Sequence, residues 1–103
     1  MKSDYIYFIR IGAKSDRLFK IGTTNNVERR MREHRKKYGK PIEVLWISKP
    51  YSKFTTLRVE EETKRRWREL DEFQYIRNDR FVIPENVNQV TIKVRKEWVV
   101  SFD

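Results

Sequence analysis

The sequence predicts a single α/β domain of the α+β kind: a small, mostly antiparallel sheet flanked by helices, with an extra C-terminal β-hairpin. Three observations predict it. The first is size, since 103 residues can bury one modest core and no second one. The second is the succession of short β-branched and aromatic runs around two longer stretches of helical periodicity. The third is an aromatic content of 14%, which together with many β-branched residues can build a core despite the polar composition.

Tyr5 to Ile11, Tyr-Ile-Tyr-Phe-Ile-Arg-Ile, reads as a buried strand. The polar break Gly12-Ala13-Lys14-Ser15-Asp16 turns the chain, and Leu18 to Gly22 follows as a shorter antiparallel strand. Thr23-Thr24-Asn25-Asn26 offers side chains suited to a helix N-cap. The helix runs from about Val27 to Tyr38, where Gly39 and Pro41 stop it. Its apolar stripe is sparse: Val27, Met31 and Tyr38, with Arg30 and His34 close beside it. Ile42 to Ile47 is a third strand, bounded by Ser48-Lys49-Pro50. A second helix covers roughly Phe54 to Leu70, with Val59, Thr63, Trp67 and Leu70 on one face. Phe81-Val82-Ile83 is a short strand ended by Pro84. Val90 to Val94 and Trp98 to Phe102 form a closing hairpin turned by Arg95-Lys96-Glu97. With no linker, repeat or low-complexity tract, one domain is expected over 1–103, its core at about 5–83 and its hairpin at about 89–102.

Composition narrows the function. Without cysteine there are no disulfides, thiolate zinc sites or Cys nucleophile. No apolar run approaches the roughly 20 residues that span a bilayer, and Lys2-Ser3-Asp4 after Met1 does not read as a signal peptide. A soluble, cytoplasmic protein without a membrane partner is expected. The 24 Lys and Arg against 15 Asp and Glu give a net charge of +9, which suits a polyanionic partner because phosphate neutralisation releases counterions. A basic surface kept only for solubility is the simpler alternative.

One group of residues carries chemistry. Tyr5, Tyr7 and Ile9 share a face of the first strand, and Leu18, Lys20 and Gly22 share a face of the second. The first helix begins just beyond Gly22, and Arg30 and His34, four apart, stack on one side of it. A cationic, phenol-containing patch of this kind would grip a phosphate and supply a proton acceptor.

Tyr5-Ile6-Tyr7, then Phe19-Lys20-Ile21-Gly22, then Arg30 and His34, resembles the GIY-YIG nuclease superfamily, and within it the small phage and viral type whose second motif is Lys-Ile-Gly. The resemblance covers about residues 5–83. It implies a GIY-YIG-like fold and a metal-dependent endonuclease that hydrolyses DNA phosphodiesters, double-stranded DNA being the expected partner. Tyr7 would accept the proton of the attacking water, Arg30 and Lys20 would stabilise the phosphate, and His34 would orient or relay protons. Glu60 would hold one divalent cation per site, magnesium or manganese. Gly22 would allow close backbone approach, and Tyr5 would support the substrate. Two departures, Tyr5 in place of the first motif's Gly and Lys20 in place of the second motif's Tyr, belong to the Lys-Ile-Gly type. The late Asn of the superfamily has only Asn86 and Asn88 as candidates. A phage or mobile-element origin would place the chain in a host cytoplasm, or in the nucleus for a virus of eukaryotes.

The glutamate has to be chosen among Glu60, Glu61 and Glu62. At 100° per residue, Glu60 lies about 65° from the centre of the apolar stripe, Glu62 about 95° away on the other side, and Glu61 nearly opposite. Glu60 is the choice and Glu62 the second. Each residue also has a plainer account: Tyr7 as a packing aromatic, Lys20 facing solvent, Arg30 and His34 on a solvated basic helix. Likewise (i, i+4) pairs with Lys64, Arg65 and Arg66 explain the glutamates. Trp46, Trp67 and Trp98 are most simply packing residues. Outside the centre, Arg29, Arg35, Lys36 and Lys37 would contact phosphates without reading bases, so any sequence selection would come from a homodimer or a parent-protein module. A non-catalytic basic nucleic-acid-binding module on the same scaffold is the alternative function.

Overall fold

The computed structural model describes residues 3–13 and 18–69, together with the backbone of 74–75 and 80–82. Its elements in order are β1 (Tyr5–Ile11), β2 (Leu18–Thr24), α1 (Val27–Tyr38), β3 (Ile42–Ile47), α2 (Lys53–Glu69), β4 (Gln74–Tyr75) and β5 (Arg80–Val82). The strands form one antiparallel sheet in the order β3-β1-β2-β5-β4. The α+β class and the flanking helices are as the sequence predicts.

β1 lies at the heart of the sheet, which explains its unbroken apolar character, because both of its faces are covered. Tyr7, Ile9 and Ile11 pack with Met31 of α1. Ile6 and Phe8 alternate to the other face and pack with Phe19, Ile21 and Leu45 beneath Val59 and Trp67 of α2. Phe8 stacks on Phe19 at 5.6 Å and meets the Trp67 ring edge-on at 5.3 Å, so Trp67 is a core residue. Trp46 is half-buried against the same cluster, and Trp98 lies outside the described residues. Arg10, buried in β1, pairs with Glu43 across the strand boundary at 3.3 Å and lays its guanidinium over Phe19.

Local chemistry sets the helix ends. Asn26 accepts the Arg29 N–H through Oδ1 at 3.0 Å, and Gly39 ends α1 in the left-handed region at φ 62°, donating to the Arg35 carbonyl at 2.9 Å. Ser52 opens α2 by accepting the Thr55 N–H at 3.2 Å.

Some boundaries differ from expectation. β2 extends to Thr24 because Thr23 and Thr24 pair with Ile6 and Tyr5, β-branched residues serving a strand well. α2 begins at Lys53, and Thr56 joins its buried face; Leu70, expected on that face, lies outside the described residues. β5 begins at Arg80, one residue before the expected strand at 81–83, whose last residue lies outside the described residues, and β4, described at Gln74–Tyr75, has no sequence signal. The closing hairpin at 89–102 falls outside the described residues. Among the described residues, no helix is long and apolar enough to cross a membrane.

Candidate active site

The β1–β2 register sets Tyr7 directly opposite Gly22. A Cβ at Gly22 would lie 2.3 Å from Tyr7 Oη and 2.4 Å from Cζ, so the phenol ring occupies the space over the glycine. Of the glycines, Gly12 and Gly39 have positive backbone φ angles; what Gly22 supplies is room. The ring placed there brings Tyr7 Oη within 2.8 Å of His34 Nε2. His34 is held in turn by stacking on Tyr38 at 5.7 Å, and by the capped start of α1, where Thr24 Oγ1 accepts the Asn26 N–H at 3.0 Å. Tyr7 is 2% exposed and His34 6%.

This pair lies against a cleft of about 330 Å3. β2 contributes Lys20, Gly22 and Thr23 to its walls, α1 contributes Arg30 and Lys37, and α2 contributes Leu57 and Glu60. Burial first, and then the positive charges of Lys20, Arg30 and Lys37, lower the His34 pKa from 6.5 to about 4, with Glu33 opposing. The imidazole is therefore neutral at pH 7, and a neutral ring can accept the phenol's O–H at Nε2. Arg30 is half-buried and approaches Glu33 at 3.7 Å, a partly exposed pair that is weak enough to yield to a phosphate.

Glu60 lies in this cleft and pairs with Lys64 one helical turn on. Glu62 pairs with Arg65 and lines a separate depression with Arg66 and Glu69. Among the described residues, no group of three His, Asp or Glu gathers to cage a metal. A single carboxylate in an open cleft could hold a magnesium ion that takes its other ligands from substrate and water, and does not suit a zinc cage.

Tyr7, Lys20, Gly22, Arg30, His34, Lys37 and Glu60, all singled out by sequence, thus line one cleft. Arg29 lines the neighbouring cleft instead, together with Lys53. Tyr5 is half-buried opposite Thr24, while Arg35 and Lys36 are exposed in the last turn of α1; none of the three lines either cleft. Asn86 and Asn88 lie outside the described residues. Sequence reasoning missed Thr23 and Leu57 on the cleft wall and Lys53 beside it. Thr23 adjoins Gly22, which was a usable signal; Leu57 and Lys53 gave none until α2 was placed.

No curated protein and no solved structure matches the chain significantly. The family model of the T5orf172 domain matches residues 4–100, nearly the whole length, and the chain therefore belongs to the T5orf172 domain family, a domain related to phage nuclease modules.

Proposed function

We propose that the chain is a metal-dependent endonuclease of the GIY-YIG type, cutting DNA phosphodiester bonds by hydrolysis. One observation carries the proposal: the buried 2.8 Å contact between Tyr7 Oη and His34 Nε2 at the edge of a cleft with three cations and one carboxylate.

The scissile phosphate would lie against Arg30 and Lys20, whose charges oppose the negative charge that builds as water attacks phosphorus. Tyr7 would receive the water's proton on its phenolic oxygen. A free phenol has a pKa of about 10, so its own proton must be drawn away; the neutral His34 imidazole can take it, and the surrounding cations stabilise the phenolate. As the new P–O bond forms, the bond to the leaving oxygen breaks, and that oxygen is protonated from solvent. Glu60 would hold a divalent cation, magnesium or manganese, one per site, which when bound supplies Lewis-acid stabilisation of the phosphate and the leaving oxygen. Binding of the phosphate would offset the cationic part of what depresses His34, the larger part, burial, remaining in place.

Around this centre, Lys37 would hold the substrate within the cleft, and Arg29, Arg35 and Lys36 would contact flanking phosphates of double-stranded DNA. Such contacts position the duplex and carry no sequence information. Tyr5 would support the strand end beside Thr24. Selection of a site would then rest on a second copy of the chain or on a parent-protein module, and the workplace would be the cytoplasm. The test is nicking of supercoiled plasmid by the purified chain. Cleavage with magnesium or manganese that stops in EDTA supports the enzyme. Salt-sensitive DNA binding with no cleavage under either metal would make the chain a non-catalytic binding module.

A further inference from the structure

Beside the main cleft lies a second one, of about 260 Å3, to which the hydrolytic scheme gives no role beyond an unspecified flanking contact from Arg29. The two share Thr23 and Arg30 as a common wall. Arg29, Arg30 and Lys53 line the second cleft against a single carboxylate, Asp4. Its cations sit on a built frame. Asp4 and Tyr51 exchange backbone hydrogen bonds of 3.0 and 2.8 Å, which tie the chain just before Lys53 to the start of β1. Ser52 caps the helix that Lys53 opens. Arg29, in the first turn of α1, donates from Nη2 to Asn25 Oδ1 at 3.0 Å. Helices α1 and α2 therefore both begin at this cleft, and the positive ends of their dipoles add to the three side-chain charges.

The chemistry that fits is a phosphodiester. A guanidinium presents a fork to two phosphate oxygens, and an ammonium adds a compact charge. The shared wall matters most, because a strand whose phosphate lies against Arg30 in the main cleft continues past Arg30 into the second. We propose that the second cleft holds the phosphodiester adjacent to the scissile one on the same strand, so that Arg30 spans two successive phosphates and Arg29 with Lys53 fixes the strand's direction through the site. The choice of which phosphate is cut rests on the endonuclease proposal; the phosphate binding does not.

The test uses the full chain and a labelled DNA duplex whose cut position has been mapped. A neutral methylphosphonate is then placed next to the cut linkage, on one side and then on the other. On one side alone it should slow cleavage about tenfold or more, the worth of a charge-assisted contact. The Arg29→Ala, Lys53→Ala double variant should be as slow on the unmodified duplex and should lose its sensitivity to that methylphosphonate, while Arg29→Lys should recover part of the rate. In EDTA the double variant's slope of log affinity against log salt should fall by about 2. Inorganic phosphate alone should bind only weakly. An unchanged slope, or a methylphosphonate penalty that persists in the double variant, would overturn the proposal, as would tight binding of inorganic phosphate, which would mark a site for a free anion. No cleavage with the slope still falling by about 2 would refute the endonuclease and leave the phosphate site standing.

Discussion

Replacing Gly22 with alanine puts a methyl group where the Tyr7 ring lies. The new carbon would sit 2.3 Å from Oη, 2.4 Å from Cζ and 3.0 Å from Cε2. Optimal carbon contacts need about 3.5 Å, so the ring must retreat by roughly 1 Å. Tyr7 is 2% exposed, and the close contacts are with the ring's rigid end, so the cost falls on packing. Overpacking of this kind costs about 1–3 kcal/mol, of which alanine's smaller unfolded-state entropy returns about 0.5–1. The expected net loss, at most about 2.5 kcal/mol and centred on about 1, lowers Tm by roughly 5 °C in a domain of this size. The 2.8 Å contact with His34 cannot survive a shift of that size, and misplacing a reacting group by about 1 Å costs on the order of 100-fold in rate. Thermal unfolding by circular dichroism and single-turnover plasmid nicking measure the two effects. A cycle with Tyr7→Ala isolates the cause, since without the ring the alanine at position 22 should cost no stability. A Gly22→Ala chain with wild-type Tm and rate, or an equal cost with and without the ring, would refute the steric reasoning.

Four further outcomes are expected. His34 is the chain's sole histidine, so one imidazole resonance followed by NMR should titrate at about 4 in the free protein and at higher pH once DNA offsets the neighbouring cations. Because its folded pKa lies below the unfolded 6.5, the unfolded chain takes up the proton first as pH falls; stability relative to His34→Gln should drop between about 6.5 and 4, by at most about 3 kcal/mol, in urea melts. Trp67→Ala, at a fully buried residue on the inner face of α2, should cost about 3–5 kcal/mol in the same melts. Asn26→Ala should cost about 1 kcal/mol by removing the α1 cap, and should slow nicking as well, since that helix carries Arg30 and His34.

The parts of the fold that were legible in the sequence are those whose ends carry their own chemistry. α1 follows from Asn26 before it and Gly39 after it, and β1 from an apolar run too continuous for a one-sided strand. β2 looked shorter than it is because Thr23 and Thr24 suit a cap as well as a strand, and Thr24 does both: it pairs with Tyr5 and binds the Asn26 N–H. The two residues described in β4, Gln74 and Tyr75, are too few for any alternation to show. In the site, the place of Glu60 follows from the helical angle to the apolar stripe, whereas the pairing of Tyr7 with Gly22 comes from a strand register that the sequence did not specify. The burial of His34 was hidden by the arginines and lysines around it, which give α1 the look of a solvated helix. Lys53 could not be found at all, because its position depends on the bridge between Asp4 and Tyr51, two residues far apart in sequence.

In the proposed reaction Tyr7 moves the proton and Glu60 holds the metal, while the cations bind the phosphate and oppose its growing charge. The most direct measurement therefore compares wild type, Tyr7→Phe and Glu60→Gln for DNA affinity in EDTA and for single-turnover nicking in magnesium. Tyr7→Phe should bind as wild type does and cut at least about 100-fold more slowly. Glu60→Gln should bind more tightly in EDTA, having lost a carboxylate that repels phosphate, and should lose cleavage in magnesium. Cleavage that survives both substitutions, or a Glu60→Gln chain that binds DNA more weakly than wild type in EDTA, would contradict the assigned roles.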